Sequence, residues 1–294
     1  MEFTSNPDKI TRDYFDSLLL ETRYVDAAVP TTGMKLFGTD FATPIMTAAL
    51  SHLDNVTPGG MKIYAKAAAV CNAVHWVGMG GEEELENIVS TGAKTIKIIK
   101  PYADNKLITR KIAHAVKAGC IAVGMDIDHS FDSHGGYDNV FGMPMKAKTA
   151  EELAGFVEEA GIPFIVKGVL SVADAEKSVR AGCAGIVVSH HHGMMPYSVA
   201  PLMVLPDIVK AVGKEIPVFV DCGIESGYDA YKCLALGAKA VSVGRHLMPL
   251  LNQGAGAVAE RIREMNGELA GMMARTGVAD LGRMDPCVIH RRNF

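Results

Sequence analysis

Three consecutive histidines, His190, His191 and His192, close an apolar run in the stretch AGIVVSHHHGMMPY (184–197). Imidazoles titrate near neutrality and can take a proton, pass one on or bind a metal, so three of them at the end of a buried strand need a chemical reason. Lys100 in TIKIIK, Asp126 in IAVGMD, Lys167 in PFIVKG and Asp221 in PVFVDC also end apolar runs with ionisable groups. An ammonium is rarely buried without a partner. Lys167 could form a Schiff base, or hold negative charge that develops on a bound group. DCGIESG (221–227) and VGRHLM (243–248) add glycines whose amides can approach a phosphate, and Arg245 adds a guanidinium. Asp128, His129 and His134 could join His192 around a metal. Adjacent histidines on a strand point to opposite faces, however, so the triplet cannot chelate as a unit, and no metal is expected.

The elements that carry these residues repeat. A helical segment, a small pair containing glycine and a short Val/Ile-rich run recur in STGAKTIKII, KAGCIAVGMD, EAGIPFIVKG, RAGCAGIVVS and ALGAKAVSVG. Glycine ends each helix and a strand buried on both faces follows, which is the pattern of parallel βαβ units. Apolar runs at 43–50, 73–78, 95–100, 121–126, 163–168, 185–190, 217–222 and 240–244 make eight strands. Eight strand–helix units predict an α/β fold, a single (β/α)8 TIM barrel. An open doubly wound sheet fits less well, because no G-x-G-x-x-G follows the first strand. Residues 41–294 are expected to form the barrel. Residues 1–40 should be an N-terminal helical extension that caps its bottom or shields one side. Active groups in this fold sit where strands end. That rule selects Ser51, His75, Lys100, Asp126, Lys167, Ser189 with the histidines, Asp221 and Gly244–Arg245, with the long loop 127–149 facing the substrate.

Composition narrows the class. The 294 residues are 49% hydrophobic and carry a formal net charge of −4, so no basic excess points to nucleic acid. The six cysteines lie far apart with no C-x-x-C, as in a reduced, cytoplasmic protein. No uncharged apolar stretch approaches the roughly 20 residues that cross a bilayer, so no membrane partner is expected.

PFIVKGVLSVADAEKSVRAGCAGIVVSHHHG, followed by LMVLPDIVKAVGKEIPVFVDCGIESGYDAYKCLALGAKAVSVGRHLM, closely resembles the FMN-dependent α-hydroxy acid oxidase and dehydrogenase family, which includes glycolate and lactate oxidases. The resemblance runs from about Phe41 to the C-terminus and is dense over 163–248. It implies FMN as cofactor and an oxidoreductase that oxidises a small hydroxy-acid-like substrate, with a histidine base and hydride transfer to flavin N5. It also implies a homo-oligomer, often a tetramer. Position by position, it assigns His191 as the base and Asp126 as the carboxylate that orients it. Lys167 would lie beside the flavin N1 and C2 carbonyl. Ser189, Asp221, Gly223, Gly244, Arg245, Ala48 and Ala49 would contact the cofactor, with Arg245 at the phosphate end. Lys100, Trp76, His192 and Met194 would face the substrate.

The departures bear on specificity. The family's carboxylate-clamping arginine falls on Met194, and its second one has no equivalent in DIDHSFDSHGG. Its arginine after D-G-G is Glu225, and its N-terminal tyrosine can be assigned to neither Tyr14 nor Tyr24. Lys100 could offer a single charge where the fork is lost, although lysine does not reproduce a bidentate guanidinium. The alternatives are a flavin-dependent isomerase without net redox, a flavin-free lyase using Lys167, a metal-dependent barrel enzyme, and a binding or regulatory barrel.

Overall fold

Each of the eight apolar runs forms a strand in the computed structural model, which describes residues 4–292. The strands are β1 (Ile45–Thr47), β2 (His75–Val77), β3 (Thr95–Ile99), β4 (Ala122–Asp126), β5 (Phe164–Val169), β6 (Gly185–Val188), β7 (Val218–Val220) and β8 (Ala240–Val243). They lie in the order β1-β8-β7-β6-β5-β4-β3-β2, and every pairing is parallel. The Thr47 amide donates to the Val74 carbonyl at 3.1 Å, and Leu50 bridges to Val77, so the two ends of the sheet meet and the barrel is nearly closed. A helix follows every strand, from Gly60–Val70 after β1 to Ala255–Arg275 after β8. The expected glycine stops are present: Gly119 and Gly161 end their helices with φ of 91° and 59°, a conformation that costs glycine little.

Strand periodicity decides what fills the barrel. Met46, Trp76, Ile96, Ile98, Ala122, Ile165, Val187, Phe219 and Ala240 form one buried cluster inside it. Two residues further along their strands, the same face carries Ala48, Lys100, Lys167, Ser189, Asp221 and Ser242, and Asp126 is in phase with Ala122. The polar layer at the C-terminal mouth is thus the next inward-facing position after the apolar ones. Register sets its pairing, because Lys167 of β5 lies opposite Asp126 of β4.

The N-terminal segment divides between both ends of the barrel. The hairpin of Met34–Leu36 and Thr39–Phe41 sends Met34, Leu36 and Phe41 into the apolar cluster at the bottom. Helix α1 (Pro7–Ser17) lies instead over the C-terminal mouth. Its N-cap Asn6 accepts from the Asp8 amide and Pro7 begins the helix, both good starting signals. Thr11 Oγ1 meets His190 Nε2 at 2.8 Å, Arg12 pairs with Asp229 at 2.9 Å, and Lys232 Nζ donates to the Phe15 carbonyl at 2.7 Å. After α1, Leu18–Leu20 pairs antiparallel with Ile289–Arg291.

Candidate active site

The turn after β6 sends the three histidines in different directions. His190 is buried, its Nε2 against Thr11 and its Nδ1 accepting from the Gly193 amide at 3.0 Å. His191 and His192 both have positive φ, 46° and 61°. Such backbone is uncommon for residues with a side chain and is held only where the surroundings enforce it. One of those restraints is Ser189, whose buried hydroxyl accepts from the His191 amide at 3.1 Å.

His191 Nδ1 lies 3.0 and 3.1 Å from the two oxygens of Asp128. A carboxylate against Nδ1 fixes the tautomer with the proton on that nitrogen and leaves Nε2 with the free lone pair. Asp128 can come this close because Gly168 stands beside Lys167. A Cβ on Gly168 would fall 2.4 Å from Asp128 Oδ2, and its φ of 94° is one that side chains rarely adopt.

Asp126 has other partners. Its Oδ2 accepts from Lys100 Nζ at 2.8 Å, and its Oδ1 lies 3.1 Å from Lys167 Nζ and 3.7 Å from His191 Nδ1. Burial works against the Asp126 charge, but Lys167 and Lys100 outweigh it and hold the carboxyl far below its usual range. Burial likewise opposes the Lys167 charge, while Asp126, Asp221 and Asp128 hold its ammonium well above its ordinary value. Asp221, 3.7 Å from Lys167, is kept ionised against burial mainly by that lysine. Lys167 Nζ also lies 3.3 Å from His191 Nδ1. Base and buried cation therefore share one end of the barrel.

Both line a cavity of about 330 Å³ at the mouth. Ala48, Ala49 and Gly244, the turn Asp221 to Glu225, His192, and the charged Asp8, Arg12 and Arg245 all contribute to its lining. Gly244 is closely approached, since a Cβ there would lie 3.1 Å from that of Ala48. A fixed ammonium in a lining that includes small alanine and glycine residues suits a planar ring that gains negative charge, and a guanidinium with glycines nearby suits a phosphate. The donor set fits FMN.

Several expectations need correction. The orienting contact to His191 comes from Asp128, because both oxygens of Asp126 face lysines. Trp76 lies in the barrel core and not in the pocket; its Nε1 reaches Met46 Sδ at 3.3 Å and its ring packs edge-on against Phe219. Met194 is exposed and does not line the cavity. Lys100 is buried in its ion pair with Asp126 and has no place in the lining. His75, in opposite phase to Trp76, faces the helices, with Nδ1 2.8 Å from Thr47 Oγ1. Tyr14 and Tyr24, which the resemblance leaves unassigned, are not in the lining: Tyr14 meets Arg291, and Tyr24 is exposed. His129 stacks edge-on against His191 with centroids 4.6 Å apart, and with Asp128 the two form the cluster whose ligand atoms lie within 4.8 Å; His134 and His192 are not in it. Asp8, Thr11 and Arg12 went unsingled in the sequence, because their contacts bridge more than 170 positions. Asp128, which the sequence offers only as a metal candidate, is a second carboxylate two residues after the strand-ending one, and that spacing is the signal for its role here.

A parallel barrel with a histidine–carboxylate pair and a buried lysine at its C-terminal mouth defines a (β/α)8 oxidoreductase site of the flavin-binding kind. The profile of the FMN-dependent dehydrogenases matches residues 8–151 and 139–291, and the chain belongs to that family. With membership come FMN as cofactor and oxidoreductase activity. An L-lactate oxidase of Roseobacter sp. (strain GAI101) is 29% identical over 290 residues, covering 87% of this chain and 78% of that protein. Glycolate oxidase of Spinacia oleracea is 26% identical, covering 90% and 80%. Mandelate oxidase with (S)-2-phenylpropionate superposes with a TM-score of 0.86 at 26% identity, covering 98% of this chain and 90% of that one. Among the described residues, no helix is long and apolar enough to cross a membrane.

Proposed function

We propose that this chain oxidises a small 2-hydroxy acid, with His191 as the base that takes the substrate proton. The contact that carries the reading is Asp128 on His191 Nδ1, which would leave Nε2 as the acceptor of a residue that lines the cavity. As the proton moves to Nε2, the Asp128 carboxylate stabilises the imidazolium. Bound FMN supplies the two-electron acceptor. Lys167 would hold its ring edge with a permanent positive charge, and Ala48, Ala49 and Gly244 would exclude water from one face. Asp221 and Asp126 keep Lys167 protonated and fixed in place. Asp126 is thus a positioning residue for Lys167.

The substrate's acid group would not meet a guanidinium fork. Arg12 and Arg245, the arginines of the lining, are both committed to carboxylates at the rim. Acids held loosely at the carboxylate, with recognition spread over His192 and the loop 127–149, suit this pocket best. Six free thiols, five of them buried, support a reducing, cytoplasmic setting, and a homo-oligomer is what the family resemblance implies. Anaerobic mixing with a panel of 2-hydroxy acids tests the reading. Bleaching of the flavin by at least one acid is expected, and its loss in His191→Gln with flavin still bound. Bleaching retained by that variant would remove His191 as the base.

A further inference from the structure

Arg245, directly after β8, is held by a carboxylate from the far end of the chain. Asp8, in the first turn of α1, places Oδ1 2.7 Å from Nη2 and Oδ2 2.8 Å from Nη1, the two-point geometry a guanidinium offers to any oxyanion. Both residues line the cavity. The other charged groups at this rim are spoken for or negative. Arg12 is bound to Asp229 and Asp16, His246 receives Arg261 Nε, and Glu225, where the resemblance leads one to expect an arginine, is exposed on the same wall.

Resting on the FMN reading above, we infer that Asp8 is an internal occupant of the phosphate subsite, and that a cofactor phosphate must exchange with it on Arg245. The hydrogen bonds from Arg245 hold the Asp8 carboxyl below its usual range, so it is ionised and competing at neutral pH. Exchange frees only the first turn of α1, because Thr11 on His190 and Arg12 on Asp229 anchor the next. That first turn rests on the histidine loop: the Tyr197 amide donates to the Ser5 carbonyl at 2.9 Å, and a Cβ on Gly193 would lie 2.9 Å from the Pro7 ring. Filling the phosphate subsite therefore loosens a contact on the loop that carries His191.

FMN and riboflavin separate the phosphate end from the ring end, since they differ only in the phosphate. Each is titrated by flavin fluorescence against the wild-type apoprotein and Asp8→Asn. The pair is half-exposed, so removing the competing charge is expected to tighten FMN by about three- to fivefold and to leave riboflavin unchanged. Arg245→Gln is expected to abolish the preference for FMN over riboflavin. In hydrogen exchange, amides of residues 5–10 in the wild type should exchange faster with FMN than with riboflavin. An FMN-to-riboflavin affinity ratio equal in wild type and Asp8→Asn would overturn this inference and leave the cofactor reading standing. A protein that takes up neither flavin would overturn both.

Discussion

Asp128 grips His191 Nδ1 with both carboxylate oxygens, while Asp126, two residues earlier, stands 3.7 Å from the same nitrogen. One aspartate orients the base and the other sits between two lysines. Their substitutions should therefore fail in different ways. Asp128→Asn should keep flavin and fold but lose turnover by about 10²- to 10⁴-fold, the range of general base catalysis. Single-turnover flavin reduction measures it, and an undiminished rate would reassign the orienting role.

Asp126→Asn should instead act on stability. Losing one partner of a buried ion pair leaves the other charge uncompensated, which costs about 3–5 kcal/mol. Lys100 is left in that state here, while Lys167 keeps Asp221 at 3.7 Å. Urea denaturation of the apoprotein tests it, and a midpoint equal to wild type would show that the lysines find other partners.

Gly168→Ala is expected to push Asp128 away from His191, because the new methyl would fall on the carboxylate. The positive φ adds backbone strain of about 1–3 kcal/mol. Loss of thermal stability together with loss of turnover is the expected pair. Lost stability with normal turnover would show that Asp128 can move without consequence for the base.

Stability should fall in acid through His75. Burial pushes this imidazole down to about 3, and its Nε2 has no hydrogen-bond partner among the described residues. The unfolded chain takes up the proton near pH 6.5, so the native state loses stability as pH drops from there toward 3. The loss should reach about 3 kcal/mol at pH 4. Comparing the pH dependence of unfolding free energy in wild type and His75→Gln tests this, with a flatter slope between pH 6.5 and 4 expected for the variant.

Lys97 gives the opposite limb. It is buried behind β3 with the Gly78 carbonyl as its hydrogen-bond partner, and burial pushes it down to about 8. The native state therefore bears a penalty below that pH, and the penalty fades as pH rises toward the ordinary lysine value near 10.4. Lys97→Met should gain about 1–2 kcal/mol at pH 7 and little at pH 10.5. A destabilised variant at pH 7 would show that the carbonyl contact outweighs the buried charge.

The barrel was legible because its strands are buried on both faces. Such strands read as continuous Val/Ile runs, and parallel pairing forces a helix between each two. Lys167 and the histidine triplet stand out because an ionisable group closing such a run has few structural reasons to be there, whereas the choice of His191 within the triplet rests on the family resemblance. Trp76 shows the limit: one residue of phase separates a pocket wall from a core filler, and sequence alone does not fix where a strand starts counting. The exchange of Asp126 for Asp128 turned on a glycine's missing methyl group. The roof of the site was hidden for a different reason, since Asp8, Thr11 and Arg12 act on residues more than 170 positions away.

The strand formed by Ile289–Arg291 is hydrogen-bonded to Leu18–Leu20, the segment that leaves α1, and Arg291 lies over the Tyr14 ring. The tail of the chain is thus a tether for the helix that roofs the cavity. Substitutions in Ile289–Arg291 that weaken this pairing would therefore act at a distance on the segment that presents Asp8, and flavin occupancy would register them although none of the three residues lines the cavity.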